Sequence, residues 1–356
     1  MPAFSSAEQR NTQLVHWLKT FQAPYGIDFS RPATPVSSDA GVRRYYRLAC
    51  QGPHGTSLIA ADTPLPPQQN QAFVDIASQF EKAGVHAPRV FEADCQQGFM
   101  LMTDLGETTY LQALTALRHD PDTVPDTAQS LFTDAIDTLV RLQQINPASL
   151  KNGLPRYDAA LMQRELALFP DWYIERHLGV AISPAMRAVL DTVFSTIIAH
   201  VSDVQPHVFV HRDFMPRNLM VGSPHKPNPG VIDFQDAVIG PVTYDLVSLF
   251  RDAFISWKED FQRHFIQQYL TKAQKAGVPV NQSLDDFYQQ YEWMGLQRHL
   301  KVLGIFARLK YRDGKPAYLE DAPRLLNYIR TVAQRYHALH PLIKVLDDIH
   351  HAAARH

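Results

Sequence analysis

The sequence predicts an α+β protein in two parts, a small, mainly β lobe over residues 1–104 and a large, mainly helical lobe over residues 105–356. Three observations carry that expectation. β-prone runs bounded by turn residues crowd the first hundred positions. Apolar residues spaced i, i+3, i+4 and i+7 dominate the remainder. A length of 356 residues also suffices for two parts that each bury a core.

Taken in order, Leu14, Trp17, Leu18 and Phe21 form one apolar stripe and predict an amphipathic first helix. A breaker-rich stretch from Pro24 to Pro35 follows, then Ser37-Ser38-Asp39-Ala40-Gly41. Val42 to Ala49 and Ser57 to Ala61 read as strands joined by the turn-rich Gln51-Gly52-Pro53-His54-Gly55. Phe73, Ile76, Ala77 and Phe80 mark a helix ending near Gly84. Arg89 to Ala93 and Phe99 to Thr103 read as two further strands. Beyond Asp104 the period turns helical, with a stripe at Leu131, Ala135, Leu139 and Leu142. Further helical segments are expected near 159–178, 184–203, 243–257, 259–276, 284–311 and 322–338. Short strands interrupt them at Val208 to Val210, Leu219 to Val221 and Val231-Ile232.

Composition narrows the function classes. The chain is 45% hydrophobic and 20% charged, with a formal net charge of -2, so no global field favours nucleic acid or an anionic membrane. Cys50 and Cys95 are the only cysteines; they suggest reduced thiols, not a disulfide framework or zinc site. The polar N-terminus has no apolar signal core, and no apolar run approaches the roughly eighteen residues of a membrane span. A cytoplasmic monomer acting on a small molecule is expected, without nucleic acid or membrane.

Chemistry is concentrated in His211-Arg212-Asp213-Phe214-Met215-Pro216-Arg217-Asn218, with Asp233-Phe234-Gln235 beginning fifteen residues after the asparagine. The pattern H-R-D-x-x-x-x-N followed by D-F-x assigns each polar residue a task in phosphoryl transfer. Asp213 accepts the proton of the attacking hydroxyl, and Asn218 and Asp233 hold Mg2+ on the phosphates of ATP. With Asp213, His211 and Arg217 complete the expected catalytic set, His211 by orienting the loop. The alternative is an Asp/Asn-rich turn between buried strands, with Asp213 capping backbone. No G-x-x-x-x-G-K-[ST], G-x-G-x-x-G or H-E-x-x-H pattern competes.

These motifs, together with Ser38-Asp39-Ala40, Arg43-Arg44-Tyr45, Gly240-Pro241-Val242-Thr243-Tyr244-Asp245-Leu246 and Arg251-Asp252-Ala253, resemble the aminoglycoside-phosphotransferase/choline-kinase superfamily. Within it, the chain is similar to the bacterial N-acetylmuramate/N-acetylglucosamine anomeric kinases of cell-wall recycling. The resemblance covers nearly the whole chain. It implies a two-lobed protein-kinase-like fold and a nucleotide between the lobes. It also implies an amino-sugar acceptor phosphorylated on its anomeric hydroxyl in peptidoglycan recycling. Ser37, Ser38, Asp39, Gly41, Arg43 and Arg44 fall in the hairpin over the nucleotide phosphates. Backbone near Met102 and Asp104 falls where adenine is recognised, with a plain core strand the alternative; Asp245 falls where an acid anchors the catalytic loop, with a helix N-terminal charge the alternative.

One departure stands out. Kinases usually hold the α- and β-phosphates with a third-strand lysine, yet no lysine occurs between Lys19 and Lys82. Arg43, Arg44 or Arg47 is the candidate replacement, because guanidinium grips phosphate bidentately. The alternative for all three is a solvated strand face. Arg298, Lys301, Arg308 and Arg312 share one helical face, which suits an acceptor carboxylate or simply faces water. Aminoglycoside, choline or homoserine acceptors, and a silent nucleotide-binding module, remain alternatives.

Overall fold

The computed structural model describes residues 7–36, 42–117, 125–150, 153–202, 205–222, 228–280 and 282–354. The chain divides into two compact units. The first takes residues up to Thr109 together with Ala148–Gly153 and Leu219–Gln235; the second takes Tyr110–Pro147, Leu154–Asn218 and everything from Asp236 onward.

The first unit opens with helix α1, Ala7–Lys19, and a single turn α2, Gln22–Tyr25. Then come β1 (Thr34–Pro35), β2 (Arg44–Gly52), β3 (Gly55–Asp62), helix α3 (Pro67–Lys82), β4 (Val90–Asp94) and β5 (Phe99–Thr103). The strands form one antiparallel sheet in the order β1-β2-β3-β5-β4. Because Gly52 pairs with Gly55, the β2–β3 turn is only Pro53-His54, tighter than the five-residue turn expected.

Period-two alternation gives the sheet two different faces. Leu48, Leu58, Ala60, Phe99 and Leu101 pack with Leu14 and Leu18 of α1 in one apolar cluster. Leu14 and Leu18 are each 2% exposed, worth about 2 kcal/mol apiece by area. The register places Tyr45, Ala61 and Met100, then Arg47, Ile59 and Met102, on the opposite face. Gly98 holds φ at 76°, and a Cβ there would lie 2.0 Å from the Thr63 carbonyl oxygen. Only glycine permits that approach, through which the Thr63 N–H reaches the Gly98 carbonyl at 2.7 Å.

The second unit begins with α4 (Tyr110–Leu117), α5 (Asp126–Gln143) and α6 (Ala159–Leu166). A wide π-helical segment, Phe169–His177, comes next, where one continuous helix over 159–178 was expected. Pro170 has no N–H to give, and Leu178 reaches back five residues to the Tyr173 carbonyl. Helix α7 (Pro184–Ser202) leads into β6 (His207–Val210). The short strands β7 (Leu219–Met220) and β8 (Gly230–Val231) pair antiparallel within the first unit. The chain then returns to the second unit through β9 (Val238–Pro241), which pairs with β6.

Helix α8 is Tyr244–Phe250, shorter than the 243–257 expected. Arg251 leaves helical geometry at φ -115°, ψ 47°, drawn to Gln262, Tyr288 and Glu292 instead. Then follow α9 (Glu259–Lys275), α10 (Leu284–Asp313), α11 (Ala322–Arg335) and α12 (His340–Ala353). The thirty-residue α10 is the axle of the unit, packed by α6, α7, α8, α9, α11 and the π segment. A Cβ on its Gly304 would sit 2.3 Å from the Leu168 backbone, so this glycine lets the chain cross α10 closely. Among the described residues, no helix is long and apolar enough to cross a membrane.

Candidate active site

The catalytic-loop segment starts where β6 ends, with Phe209 paired to Ile239 and Val210 to Val238. That pairing fixes the base of the loop on a buried ladder. Asp245, wholly buried in the first turn of α8, accepts the His211 N–H at 2.7 Å and the Arg212 N–H at 3.0 Å. Burial pushes the Asp245 carboxyl up to about 7, although those two amides pull it down; the Asp213 charge raises it further.

Between these anchors the chain makes a left-handed turn at Arg212, φ 73°. The Asp213 N–H donates to His211 Nδ1 at 3.2 Å, which assigns the ring proton to Nε2. His211 is wholly buried. The Asp213 carbonyl accepts the Met215 N–H at 2.9 Å and the Asn218 Nδ2 amide at 3.0 Å. Asn218 is thereby tied to Asp213, with its side-chain oxygen at the other end of the oriented amide. Pro216–Asn218 forms one turn of 3-10 helix, and Arg217 stacks its guanidinium 5.0 Å from the centre of the Phe254 ring.

Glu165, missed by sequence reasoning, supports this loop, and Asp252, read from the sequence without a role, is a second buried acid of the same unit. Glu165 of α6 accepts from Arg212 Nη2 at 2.7 Å, Lys301 Nζ at 3.0 Å, Gln297 Nε2 at 3.2 Å and the Tyr157 hydroxyl. Asp252 is wholly buried and caps the Ala253 N–H at 2.7 Å. Burial pushes its carboxyl up to about 6 against the opposing charges of Arg298 and Arg217.

This arrangement corrects the expected cationic stripe on α10. Lys301 is 8% exposed and Arg298 4% exposed. The first is bound to Glu165 and Tyr244, and the second has Nη2 3.8 Å from the Met215 sulfur. Arg312 pairs with its neighbour Asp313. Arg298 and Lys301 are buried because α10 is covered along that stretch, whereas Arg308 is half-buried and Arg312 exposed.

The first unit carries the other half of the motif. Asp233 sits at φ 66° and accepts the Gln235 side-chain amide at 2.7 Å. Phe234 stacks on Phe73 at 4.6 Å and packs against Phe80 at 4.9 Å, which docks the segment on α3. Burial drives the Tyr45 phenol up to about 12; the Arg43 charge opposes this and the Asp233 charge adds to it. Tyr45 therefore feels both Arg43 and Asp233, and all three belong to this unit.

The three candidate arginines separate cleanly. Arg47 spends its whole fork on its own unit: Asp104 at 2.5 and 3.1 Å, Glu107 at 2.7 Å and the Gly106 carbonyl at 2.8 Å. Arg44 lies 3.8 Å from Asp62, which Arg10 also holds, and its register partner places it on the α1 side of the sheet. Arg43 lines a shallow hollow of about 230 Å³, open mouth included, with Tyr45, Thr63, Asn70, Phe73 and Met102. Met102 lies between β3 and β4, paired with Ile59 and Val90, and Asp104 is the carboxylate that occupies Arg47. Ser37, Ser38, Asp39 and Gly41 lie outside the described residues.

A five-stranded antiparallel sheet unit, a helical unit and a strand-borne His-Arg-Asp loop anchored by a buried acid define a kinase-like phosphotransferase. The chain belongs to the phosphotransferase enzyme family, whose model matches residues 32–285. It is 45% identical over 315 residues, 88% of each chain, to a protein of Pseudomonas aeruginosa named N-acetylmuramate/N-acetylglucosamine kinase. A Neisseria meningitidis protein of the same name is 41% identical over 345 residues, 96% of each chain. Among solved structures, a putative aminoglycoside phosphotransferase from Ralstonia eutropha superposes with TM-score 0.59 at 13% identity, covering 89% of this chain and 96% of that one. The GDP complex of aminoglycoside 2'-phosphotransferase-IIIa gives 0.58 at 15% identity, covering 90% and 99%. At such identities these two structures speak for the fold alone.

Proposed function

We propose that this chain is an ATP-dependent sugar kinase that phosphorylates the anomeric hydroxyl of N-acetylmuramate and N-acetylglucosamine, serving peptidoglycan recycling in the cytoplasm. The observation that carries the reading is identity of 41–45% over most of the chain to two proteins named as kinases of those sugars, with Asp213, Asn218 and Asp233 all present. In this reading Asp213 takes the proton from the sugar hydroxyl as it attacks the γ-phosphorus in line. A hemiacetal hydroxyl is more acidic than an ordinary alcohol, which lightens the demand on the base.

Asn218 and Asp233 are assigned as the ligands of Mg2+. The donor set suits that ion, because an amide oxygen and a carboxylate are the hard oxygen donors it takes. Held by these two residues, the ion would supply positive charge that offsets the negative charge developing on the phosphates.

Residues 1–104 are assigned the nucleotide grip and residues 105–356 the catalytic and acceptor groups. With Arg47 committed to carboxylates and Arg44 on the α1 face, Arg43 becomes the candidate for the absent lysine's task. Backbone near Met102 and Asp104 is assigned to adenine, and Ser37, Ser38, Asp39 and Gly41 to the phosphate loop. Arg217, in the same turn as Asn218, is the cation best placed for an acceptor carboxylate, since Arg298 and Lys301 are buried. Base, metal ligands and phosphate grip come from one chain, so a monomer suffices.

ADP release measured with N-acetylglucosamine, N-acetylmuramate, kanamycin and choline tests the substrate class. Turnover with either amino sugar is expected; turnover with kanamycin or choline alone contradicts the reading.

A further inference from the structure

We propose that Glu165 is a positioning residue for the transfer, acting through Arg212 to hold the left-handed turn that presents Asp213. This rests on Asp213 being the base.

Arg212 is one of two described non-glycine residues at positive φ, at 73°, and it immediately precedes Asp213. A non-glycine side chain in that region is strained and persists only where its surroundings over-determine it. Three tethers do so. Asp245 accepts the Arg212 N–H at 3.0 Å, Ser248 Oγ donates to its carbonyl at 3.2 Å, and Glu165 accepts from its guanidinium at 2.7 Å. The first two hold the backbone from α8. Among the described residues, Glu165 alone hydrogen-bonds the side chain, and it does so from α6, far from the motif in sequence.

Glu165 is itself fixed more firmly than a simple ion-pair partner requires. It is 7% exposed, and Arg212, Lys301, Gln297 and Tyr157 all donate to its two oxygens. Four donors match the accepting capacity of an ionised carboxylate. Lys301 feels the charge of Arg212, and both feel those of Glu165 and Asp213. Without Glu165, the buried Lys301 and the half-buried Arg212 would face each other without the carboxylate that both now hold, a costly arrangement. The Arg212 side chain would swing out, the turn would relax towards ordinary backbone, and Asp213 would shift with it. A displacement near 1 Å at a reacting group can cost about a hundredfold in rate.

The test uses Glu165→Gln, Arg212→Met and the double variant, with Asp213→Asn in parallel and circular-dichroism melting to establish folding. Both single variants are expected to lose about 10- to 100-fold in kcat while KM for ATP stays within about twofold. The double variant should fall no further than the poorer single, because both changes remove one tether. A role in stability alone would lower Tm and leave kcat in place. Folded single variants with kcat within about twofold of wild type, or losses that multiply in the double, would overturn the proposal. Should Glu165→Gln not fold, Arg212→Met decides alone, since the Arg212 side chain is 22% exposed and tolerates truncation better. Turnover by Asp213→Asn would instead sink the base assignment, a separate failure.

Discussion

Around Asp213, buried acids hold backbone amides and a strained turn in place; around Arg43, a sheet face offers one arginine beside a phenol and a carboxylate. The loop is tied by Asp245, His211, Asn218 and Glu165, each within a unit whose core is α10. On the nucleotide side, the two neighbouring arginines are already committed within their own unit, Arg47 to Asp104 and Glu107 and Arg44 towards Asp62. The contrast teaches that geometry is fixed most firmly where a proton must move. Phosphate can be gripped by backbone and a single flexible cation, which need less fixing.

The largest effect should come from the rigid side. Asp213→Asn is expected to lower kcat by about a thousandfold or more, within the range for loss of a general base, while ATP binding by calorimetry stays near wild type. Loss of ATP binding would show that the loop serves the nucleotide as well and would blur the contrast. Next, Asp245→Ala leaves the His211 and Arg212 amides without their acceptor. Each buried orphan costs about 1–3 kcal/mol, so urea unfolding should show a loss of several kcal/mol and kcat should fall with it.

On the softer side, Arg43→Ala should raise KM for ATP by roughly tenfold, the scale of one charge-assisted hydrogen bond, with sugar KM unchanged. Arg44→Ala should change neither. Arg47→Ala should lower Tm, because it strips Asp104 of its partner, and leave nucleotide affinity closer to wild type than Arg43→Ala does. Equal effects from all three would erase the distinction between them.

The smallest expected effect is a pH dependence of stability. Asp252 titrates near 6 in the fold, against roughly 4 in an unfolded chain. The folded state therefore holds its proton more tightly, and the resulting stability is fully present below about pH 4. It is lost as pH rises through about 6, on the order of 2–3 kcal/mol. Asp252→Asn should remove that decline, read as a flatter difference between unfolding at pH 5 and pH 8. An unchanged slope would mean that Asp252 is ionised in the fold at both pH values.

The proposed reacting groups stood out because phosphoryl transfer needs such residues close along the chain: Asp213, Asn218 and Asp233 fall within 21 residues of one another. Asp245 was expected as the anchor of the loop, and the structure gives it both loop amides. Glu165 was not legible, since an acid on an amphipathic helix ordinarily faces water and nothing local reveals its four donors. Lys301 and Arg298 misled for the mirror-image reason. Helical periodicity groups charges by face but does not say what packs on that face, and α10 is enclosed. Helix α12 lay within reach, as Leu342, Val345, Leu346 and Ile349 are buried at helical spacing. The early end of α8 was not, because Arg251 is drawn off by Glu292, 41 residues away.

Phosphorus NMR of the product tests the central claim most directly. Purified protein with ATP, magnesium and either N-acetylmuramate or N-acetylglucosamine should yield a new phosphate resonance coupled to the anomeric proton of the sugar, and Asp213→Asn should yield none. A resonance coupled to any other sugar position, or the same product formed at wild-type rate by Asp213→Asn, would contradict the account.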